Sequence, residues 1–433
     1  MDTVNTQFHV LSFEGPDAYS RAGGIASRIT GLTQTLADVG FDTHLWFVGD
    51  PERPGHERLG NLSLHRWCQW ISRYHGGGVY QGEEPKRTDY VRSLPPYLVK
   101  EILLPKLEDE AARAVILAEE WHTVHAVLHL DWLLRCAGVR DRVSILWNAN
   151  NVFGFDRIDW AHLRQAATIT TVSRYMRHAM WKHGVDALVI PNGLPSSAFQ
   201  PPERKQTAMM RMPLRNRLVL AKVARWDPDK RWVLAVDTAA ELKRQGKRPL
   251  LIARGGMEEH GHEVFQRAIA QGLRIAERQQ ADASGEALIA SLENVGNVDM
   301  VSLRTPLSAD ACRLLYRGAG VVLANSGHEP FGLVGLEAMA AGGLACTGNT
   351  GEDYAVAGWN ALVLQSADPE EFVHHYHRIE NHPAEERELR RRGRATAEQY
   401  AWQEVVRRNL LPQVRFAHHV PKTLPSNVIP LRA

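Results

Sequence analysis

Cysteine is scarce. Cys68, Cys136, Cys312 and Cys346 are scattered over 433 residues with no C-x-x-C pair among them, so neither a structural zinc site nor a disulfide framework is expected. No stretch approaches the roughly 18 consecutive apolar residues of a membrane span. The opening MDTVNTQFHVLSFEG lacks a basic segment followed by a long apolar one, so no secretory leader is read there and a cytoplasmic protein is the expectation. An excess of charge of one sign is missing too. With 51 basic and 49 acidic side chains the formal net charge is +2, which gives no reason to expect nucleic acid as a partner. Arginines bunch in RELRRRGRA (387–395) behind acidic residues, the pattern of a solvated helix face. PPYLVKEILLPKLEDE (95–110) is the one segment with an amphipathic look. It reads better as a helix packed on a domain, and peripheral membrane contact stays open on its account alone.

What is present is a soluble globular composition, 44% hydrophobic and 23% charged, on a chain long enough for two cores. FHVLSF (8–13) is a short apolar run ending in a glycine-containing loop, as buried strands do. Ile25, Ile29, Leu32, Leu36 and Val39 then recur at helical spacing up to Gly40, and THLWFVG (43–49) follows. Strand, helix, strand in that order predicts a parallel βαβ unit. RAVILAEE (113–120), RVSILWNAN (142–150), ATITTVS (167–173) and ALVIPNG (187–193) continue it.

The Pro-rich, charged stretch 194–217 reads as a linker. A second alternation starts beyond it. RLVLAKVA (217–224) is a strand, KRWVLAVDTAAELKRQG (230–246) a helix burying Val233, Val236 and Ala240, and RPLLIARGG (248–256) and GVVLANS (320–326) are further strands. The expected architecture is α/β, with two Rossmann-like doubly wound domains facing across a cleft. The expected division is 1–199, 200–395, and a segment 396–433 whose helix crosses back onto the first domain.

Candidate chemistry collects where strands end. After FHVLSF comes a loop with Gly23 and Gly24 at a helix start, where backbone N–H groups suit an anion. After RLVLAKVA, the loop RWDPDK puts Arg225 and Lys230 within one turn, two cations for a diphosphate. After GVVLANS comes GHEPFGLVGLE, with Glu329 and Glu337 eight positions apart. Pro330 biases Glu329 away from helix, so Glu329 belongs to the loop and Glu337 to the helix that Gly332 leads into. A wholly helical interval would span about 12 Å. The free N–H groups around Gly332, Leu333 and Val334 would face something anionic between the two carboxylates.

In the first domain, Glu119 and Glu120 end a strand, where two adjacent carboxylates need a polar environment. His122 follows them. Asn148, Asn150 and Asn151 in LWNANN offer donors and acceptors of the kind a hydroxyl-rich acceptor requires. Trp121, Trp147 and Trp226 neighbour these loops and are candidates to stack on sugar or base.

The segment EPFGLVGLEAMAAG (329–342) resembles the two-glutamate motif of retaining GT-B glycosyltransferases of family 4. ARWDPDK is similar to their Arg/Lys loop and SRAGGIASRITGLTQTLADVGFDTHLWF to their N-terminal glycine loop. TVSRYMR and VIPNGL match the end of their first domain in order, and the resemblance runs from Phe8 to about Leu364. It implies that Arg225 and Lys230 hold the diphosphate with help from the Gly23–Gly24 backbone. It implies that Glu337 binds the ribose, that Glu329 contacts the donor sugar, and that the backbone of Phe331, Gly332, Leu333 and Val334 completes the cradle. The implied reaction moves a hexose, glucose or mannose, from a nucleotide-diphosphate sugar to a hydroxyl acceptor that is a glycan, a lipid-linked molecule or a small molecule. The anomeric configuration is retained and neither metal nor cofactor takes part.

EEWHT (119–123) also resembles the H-D-W-H-T stretch of bacterial glycogen and starch synthases. Glu119 stands where their sugar-contacting histidine is expected, and His122 matches their second histidine. Three alternatives follow: a glycogen-synthase-like enzyme using ADP-glucose, a sugar-nucleotide epimerase, and a non-catalytic GT-B binding protein.

Overall fold

The computed structural model describes residues 2–416. Two parallel sheets organise the chain. The first holds β1 (Thr6–Leu11), β2 (Asp42–Val48), β3 (His56–Leu59), β4 (Leu62–Trp67), β5 (Arg113–Glu119), β6 (Val143–Ala149), β7 (Thr168–Thr171) and β8 (Leu188–Val189), in the order β3-β4-β2-β1-β5-β6-β7-β8. Only β3 runs antiparallel, against β4. That hairpin has no counterpart among the strands expected from the sequence, because HERL is too polar to read as a buried run.

The second sheet holds β9 (Leu218–Val223), β10 (Pro249–Arg254), β11 (Ile275–Arg278), β12 (Met300–Leu303), β13 (Val321–Ala324), β14 (Ala345–Thr347) and β15 (Leu362–Val363), in the order β11-β12-β10-β9-β13-β14-β15. All its pairings are parallel. The GT-B architecture of two doubly wound domains is therefore present.

Chain order reverses direction between β1 and β5 in the first sheet and between β9 and β13 in the second. Such switch points open a crevice at the carboxyl ends of the strands. The candidate residues sit at the carboxyl ends of β1, β5 and β6 in the first sheet and of β9 and β13 in the second, so topology gathers each set at one edge of its sheet.

Six helices matter to the site: α1 (Gly24–Asp38), α2 (Glu83–Tyr97), α3 (Arg174–Trp181), α4 (Arg204–Arg211), α5 (Trp232–Arg244) and α6 (Leu333–Ala340). α1 buries Ile29, Leu32 and Leu36 on Phe8, Val10 and Leu45 of the first sheet. α2 runs on as helix to Lys106 and buries Tyr90, Leu94, Leu98, Val99 and Leu103. PPYLVKEILLPKLEDE is thus packed on its domain, and among the described residues no helix is long and apolar enough to cross a membrane.

Three local expectations need correction. The 194–217 stretch is not featureless: α4 lies inside it. Met210 and Leu214 are four apart and buried, and Arg211 donates to the carbonyls of Gly318 and Arg317. On α5, Val233 is half-buried while Trp232, Leu234, Ala235 and Val236 are buried, because helices 260–270 and 369–381 pack on both its sides. The C-terminal helix is two helices. Pro383–Glu398 stops, Ala401 is extended and bridges to Leu194, and helix restarts at Trp402.

Trp402 then packs against the first domain so closely that a Cβ on Gly31 would sit 2.1 Å from its indole nitrogen. Residues 417–433 of the expected terminal segment lie outside the described residues.

Candidate functional site

The second-domain wall is built from two loops fastened to each other. In the loop after β9, the Asp227 carboxylate accepts the Asp229 N–H and starts the 3-10 turn Pro228–Lys230. Gly327 N–H donates to Asp229 O at 2.6 Å, which draws the loop after β13 alongside. The result is an ion pair between Lys230 Nζ and Glu329 Oε2 at 2.5 Å, both side chains about one-fifth exposed. Arg225 is different. Its side chain is two-thirds exposed, with Asp227 4.0 Å away, while its carbonyl accepts the Trp232 indole N–H. The guanidinium is free to turn toward a ligand.

Glu329 is held from behind. Its N–H donates to Thr350 Oγ1 at 2.9 Å, and its carbonyl accepts the Gly351 N–H at 2.9 Å. Gly332, at φ +79°, makes the turn into α6, and a Cβ there would meet Glu352 Cγ at 2.6 Å, so no larger residue fits. The Tyr354 hydroxyl donates to the Gly332 carbonyl. Phe331 is buried against Tyr354 and Tyr400, so only its backbone faces the loop. Leu333 and Val334 form the first turn of α6, and Glu337 is half-buried on the second. Burial pushes the Glu337 carboxyl up to about 7. The two carboxylates thus stand one on the loop and one on the helix, with helix-start amides between them.

The first-domain wall spends most of its polar groups on itself. Glu119, expected where the family histidine stands, turns inward. It is 1% exposed, bonded to Arg28 Nε at 3.1 Å and to the amides of Asn148 and Asn150 at 2.8 and 2.7 Å. Asn148 completes that network through Thr170, which donates to its Oδ1. Glu119 and Asn148 are therefore supports under the wall rather than groups on it. Asn151 is spent locally, accepting from Phe153 N–H.

Glu120 is the carboxyl at the strand end. Its backbone sits at φ +67°, a region costly for a side-chain-bearing residue and found at functional sites. Its Oε1 accepts the Asn150 N–H at 2.6 Å. Burial, with Glu119 close by, raises it to about 8, so at neutral pH it carries a proton. His122 stacks on Phe13 with ring centroids 4.5 Å apart and pairs through Nε2 with Glu83 at 2.8 Å. Burial, then Arg87 and Arg157, bring it down to about 3. It is a neutral imidazole whose buried Nδ1 has no hydrogen-bond partner among the described residues.

The glycine loop also departs from expectation. Glu14, the first residue of EGPDAYSRAGG, is 3% exposed. Its Oε2 accepts the N–H groups of Ala22, Gly23 and Ala26 at 3.3, 3.1 and 3.1 Å, and its Oε1 accepts the Tyr80 hydroxyl at 2.7 Å. The Gly23 amide is therefore already occupied by an internal anion. Gly24 faces the other domain, and a Cβ there would lie 4.0 Å from Leu333. Arg174 at the start of α3 is tied across the cleft to Asp353 by N and Nε, at 2.7 and 3.1 Å.

The three tryptophans are largely buried, and of them Trp226 borders an open groove, with Gly256, Met257, Phe265 and Arg304. Trp147 and Trp226 are buried, Trp226 against Trp232, and Trp121 lies under Arg87 and Arg157. Sequence reasoning missed Glu14, Tyr80, Glu352 and Lys222. The first two had a signal, an acid opening a glycine loop and an aromatic in HGGGVYQG (75–82). The others are visible only through contacts with distant loops.

Residues 213–396 match the family model of glycosyl transferases group 1. No curated protein matches the sequence. Among solved structures the chain resembles a sucrose-phosphate synthase from Thermosynechococcus elongatus, at 18% identity and TM-score 0.64, covering 92% of this chain and 96% of that one. It resembles the catalytic domain of starch synthase IV from Arabidopsis thaliana bound to ADP and acarbose, at 14% identity and TM-score 0.64, covering 93% and 99%. It also resembles a UDP-forming trehalose-phosphate synthase from Burkholderia xenovorans in complex with glucose-6-phosphate, at 15% identity and TM-score 0.62, covering 93% and 99%. The loops after β9 and β13 fall within the matched stretch: this half of the chain carries the group 1 glycosyl transferase pattern, and the whole described chain has the GT-B fold.

Proposed function

We propose that the protein transfers a hexose, glucose or mannose, from a nucleotide-diphosphate sugar to a hydroxyl acceptor, with retention of anomeric configuration and with neither metal ion nor cofactor. The observation that carries this reading is the Lys230–Glu329 pair at 2.5 Å, set at the start of α6 with Glu337 one turn further on. A diphosphate offers Lys230 a better partner than Glu329, and the first amides of α6 meet the same charge. Glu329, released, is left to accept from sugar hydroxyls. Glu337 accepts from the ribose, and Arg225 swings in from solvent to neutralise charge on the departing diphosphate.

On the opposite wall Glu120, protonated, can donate to an acceptor oxygen, while Asn150, Asn151 and neutral His122 shape the acceptor side. Glu119 acts behind them by fixing Asn150. The Arg174–Asp353 tie spans the cleft and supports its closure over the donor. The starch synthase holding ADP and the trehalose-phosphate synthase described as UDP-forming agree with a nucleotide-diphosphate product.

Incubation with UDP-, GDP- and ADP-linked glucose and mannose plus a panel of hydroxyl acceptors tests the proposal. Proton NMR of the product is expected to show a new glycosidic bond of the donor's anomeric configuration, in the presence of a chelator. An inverted product, or an isomerised sugar formed without acceptor, would refute it.

A further inference from the structure

Strand β9 carries a lysine where its neighbours on the same face are apolar. Leu220 and Lys222 alternate toward α5, and Lys222 is 1% exposed among Leu220, Trp232, Ala253, Leu323 and Cys346. Its ammonium donates to Leu323 O at 3.1 Å and Asn325 Oδ1 at 2.8 Å, and it lies 5.4 Å from the centre of the Trp232 ring. Both bonds go to neutral oxygens. Burying a cation this way is costly, and hydrophobic packing on this strand needs no ammonium.

The position explains the cost. Asn325, itself 1% exposed, is the first residue past β13, where the Glu329 loop begins. Trp232, the face under the ammonium, donates to the Arg225 carbonyl and so anchors the other loop. The titratable groups acting on Lys222 are Lys230 and Arg231 from the loop after β9, Glu329 from the loop after β13, and the Cys346 thiol on β14, which burial keeps neutral. Of these, Glu329 is the carboxylate, and Lys230 already holds it.

We propose that Lys222 is a positioning residue for the anion-binding wall: protonated, it fixes the end of β13 through Leu323 and Asn325 and adds a buried positive charge beneath Lys230 that a bound diphosphate stabilises. The proposal rests on the nucleotide-diphosphate reading of this site. Burial is the first cause that lowers Lys222, to about 7, with Lys230 and Arg231 adding to it. An anion arriving at Lys230 favours the charged form, so binding takes up a proton and affinity falls as pH rises through that value.

The experiment is calorimetric titration of full-length protein with UDP, GDP and ADP between pH 6 and 9, for wild type and Lys222→Met, which keeps the stem and removes the charge. NMR titration of lysine side chains, ligand-free and saturated, is read alongside. For the nucleotide that binds, the wild-type dissociation constant is expected to rise roughly three- to tenfold more across this range than that of K222M. One lysine resonance, missing in K222M, is expected to titrate near neutrality and to move up by about one pH unit on saturation.

Equal pH slopes in the two proteins, or a Lys222 resonance indifferent to nucleotide, overturn the proposal and leave the function standing. Failure of all three nucleotides to bind wild type at any pH overturns both. If K222M is too unstable to assay, Lys222→Arg, which keeps the charge, identifies the lysine resonance by its loss, and the response of that wild-type resonance to nucleotide decides.

Discussion

Each domain carries one pair of candidate carboxylates, and the two pairs are used in opposite ways. On the first domain, Glu119 is sealed by Arg28, Asn148 and Asn150, and Glu120 is buried deeply enough to be raised to about 8. On the second, Glu329 is bonded to one partly exposed lysine, and Glu337 stands half-buried, raised by burial. Buried ion pairs fix a wall, and removing one partner is costly. The Lys230–Glu329 pair, about one-fifth exposed, keeps contact with solvent and can be exchanged for a ligand. The difference separates the wall that shapes the site from the wall that binds charge.

The sharpest way to break this comparison is at Lys230 and Glu329. Lys230→Ala and Glu329→Ala are each expected to lower the turnover of the true donor by about a thousandfold, the scale of losing a preorganised charge partner. Unfolding free energy should stay within about 1 kcal/mol of wild type in urea melts. Full turnover in both variants would remove the site from this wall. The mirror experiment is Arg28→Met. It leaves Glu119 buried without its cation, and a loss of about 3–5 kcal/mol in the same melts is expected. Unchanged stability with abolished transfer would put Glu119 on the reactive side after all.

The sequence shows one wall better than the other, for a physical reason. Glu329 and Glu337 are legible because loop and helix are local: Pro330 and Gly332 set the turn, and the apolar spacing of Leu333, Leu336 and Ala340 sets the helix. The alternation of strands and helices and the strand-end loops are legible on the same grounds, which is why two doubly wound domains follow from apolar runs and glycine loops. Which of Glu119 and Glu120 faces the cleft is not. It depends on a positive φ at Glu120 and on Arg28, ninety-one positions away in sequence. Lys222 hides for the same reason. A lysine in RLVLAKVA reads as an edge until Leu323 and Asn325 arrive from β13. Glu14 opens a loop that reads as flexible, whereas its carboxylate collects three amides and a phenol.

Glu120 sharpens the comparison through pH. Its folded value is raised from 4.5 to about 8, so the stability it contributes is complete below pH 4.5 and lost as pH rises through about 8. Glu337 and Glu352, each raised to about 7 by burial, act in the same direction. Wild type is expected to lose roughly 2–4 kcal/mol more than Glu120→Gln between pH 5 and 8.5. Denaturant melts at the two ends of the range measure it. If the two proteins lose stability in parallel, Glu120 is already ionised at neutral pH and cannot serve as the proton-bearing group of the acceptor wall.

The smallest expected effect is at Tyr80, and it decides which substrate the glycine loop serves. The Tyr80 hydroxyl gives Glu14 Oε1 its bond at 2.7 Å, while Oε2 keeps Ala22, Gly23 and Ala26. Tyr80→Phe therefore removes one donor of four and leaves the ring in place beside Phe13 and His122. The cost is that of one hydrogen bond, about 1 kcal/mol, and it falls on the side of the loop that faces His122. The expected result is an acceptor KM raised roughly three- to fivefold, with donor KM and kcat unchanged, since uniform binding is lost and no transition-state contact is touched. A rise confined to donor KM would mean that Glu14 sets the Gly23–Gly24 amides for the diphosphate. The first-domain wall would then bind charge as the second does, and the division of labour drawn between them would fail at this loop.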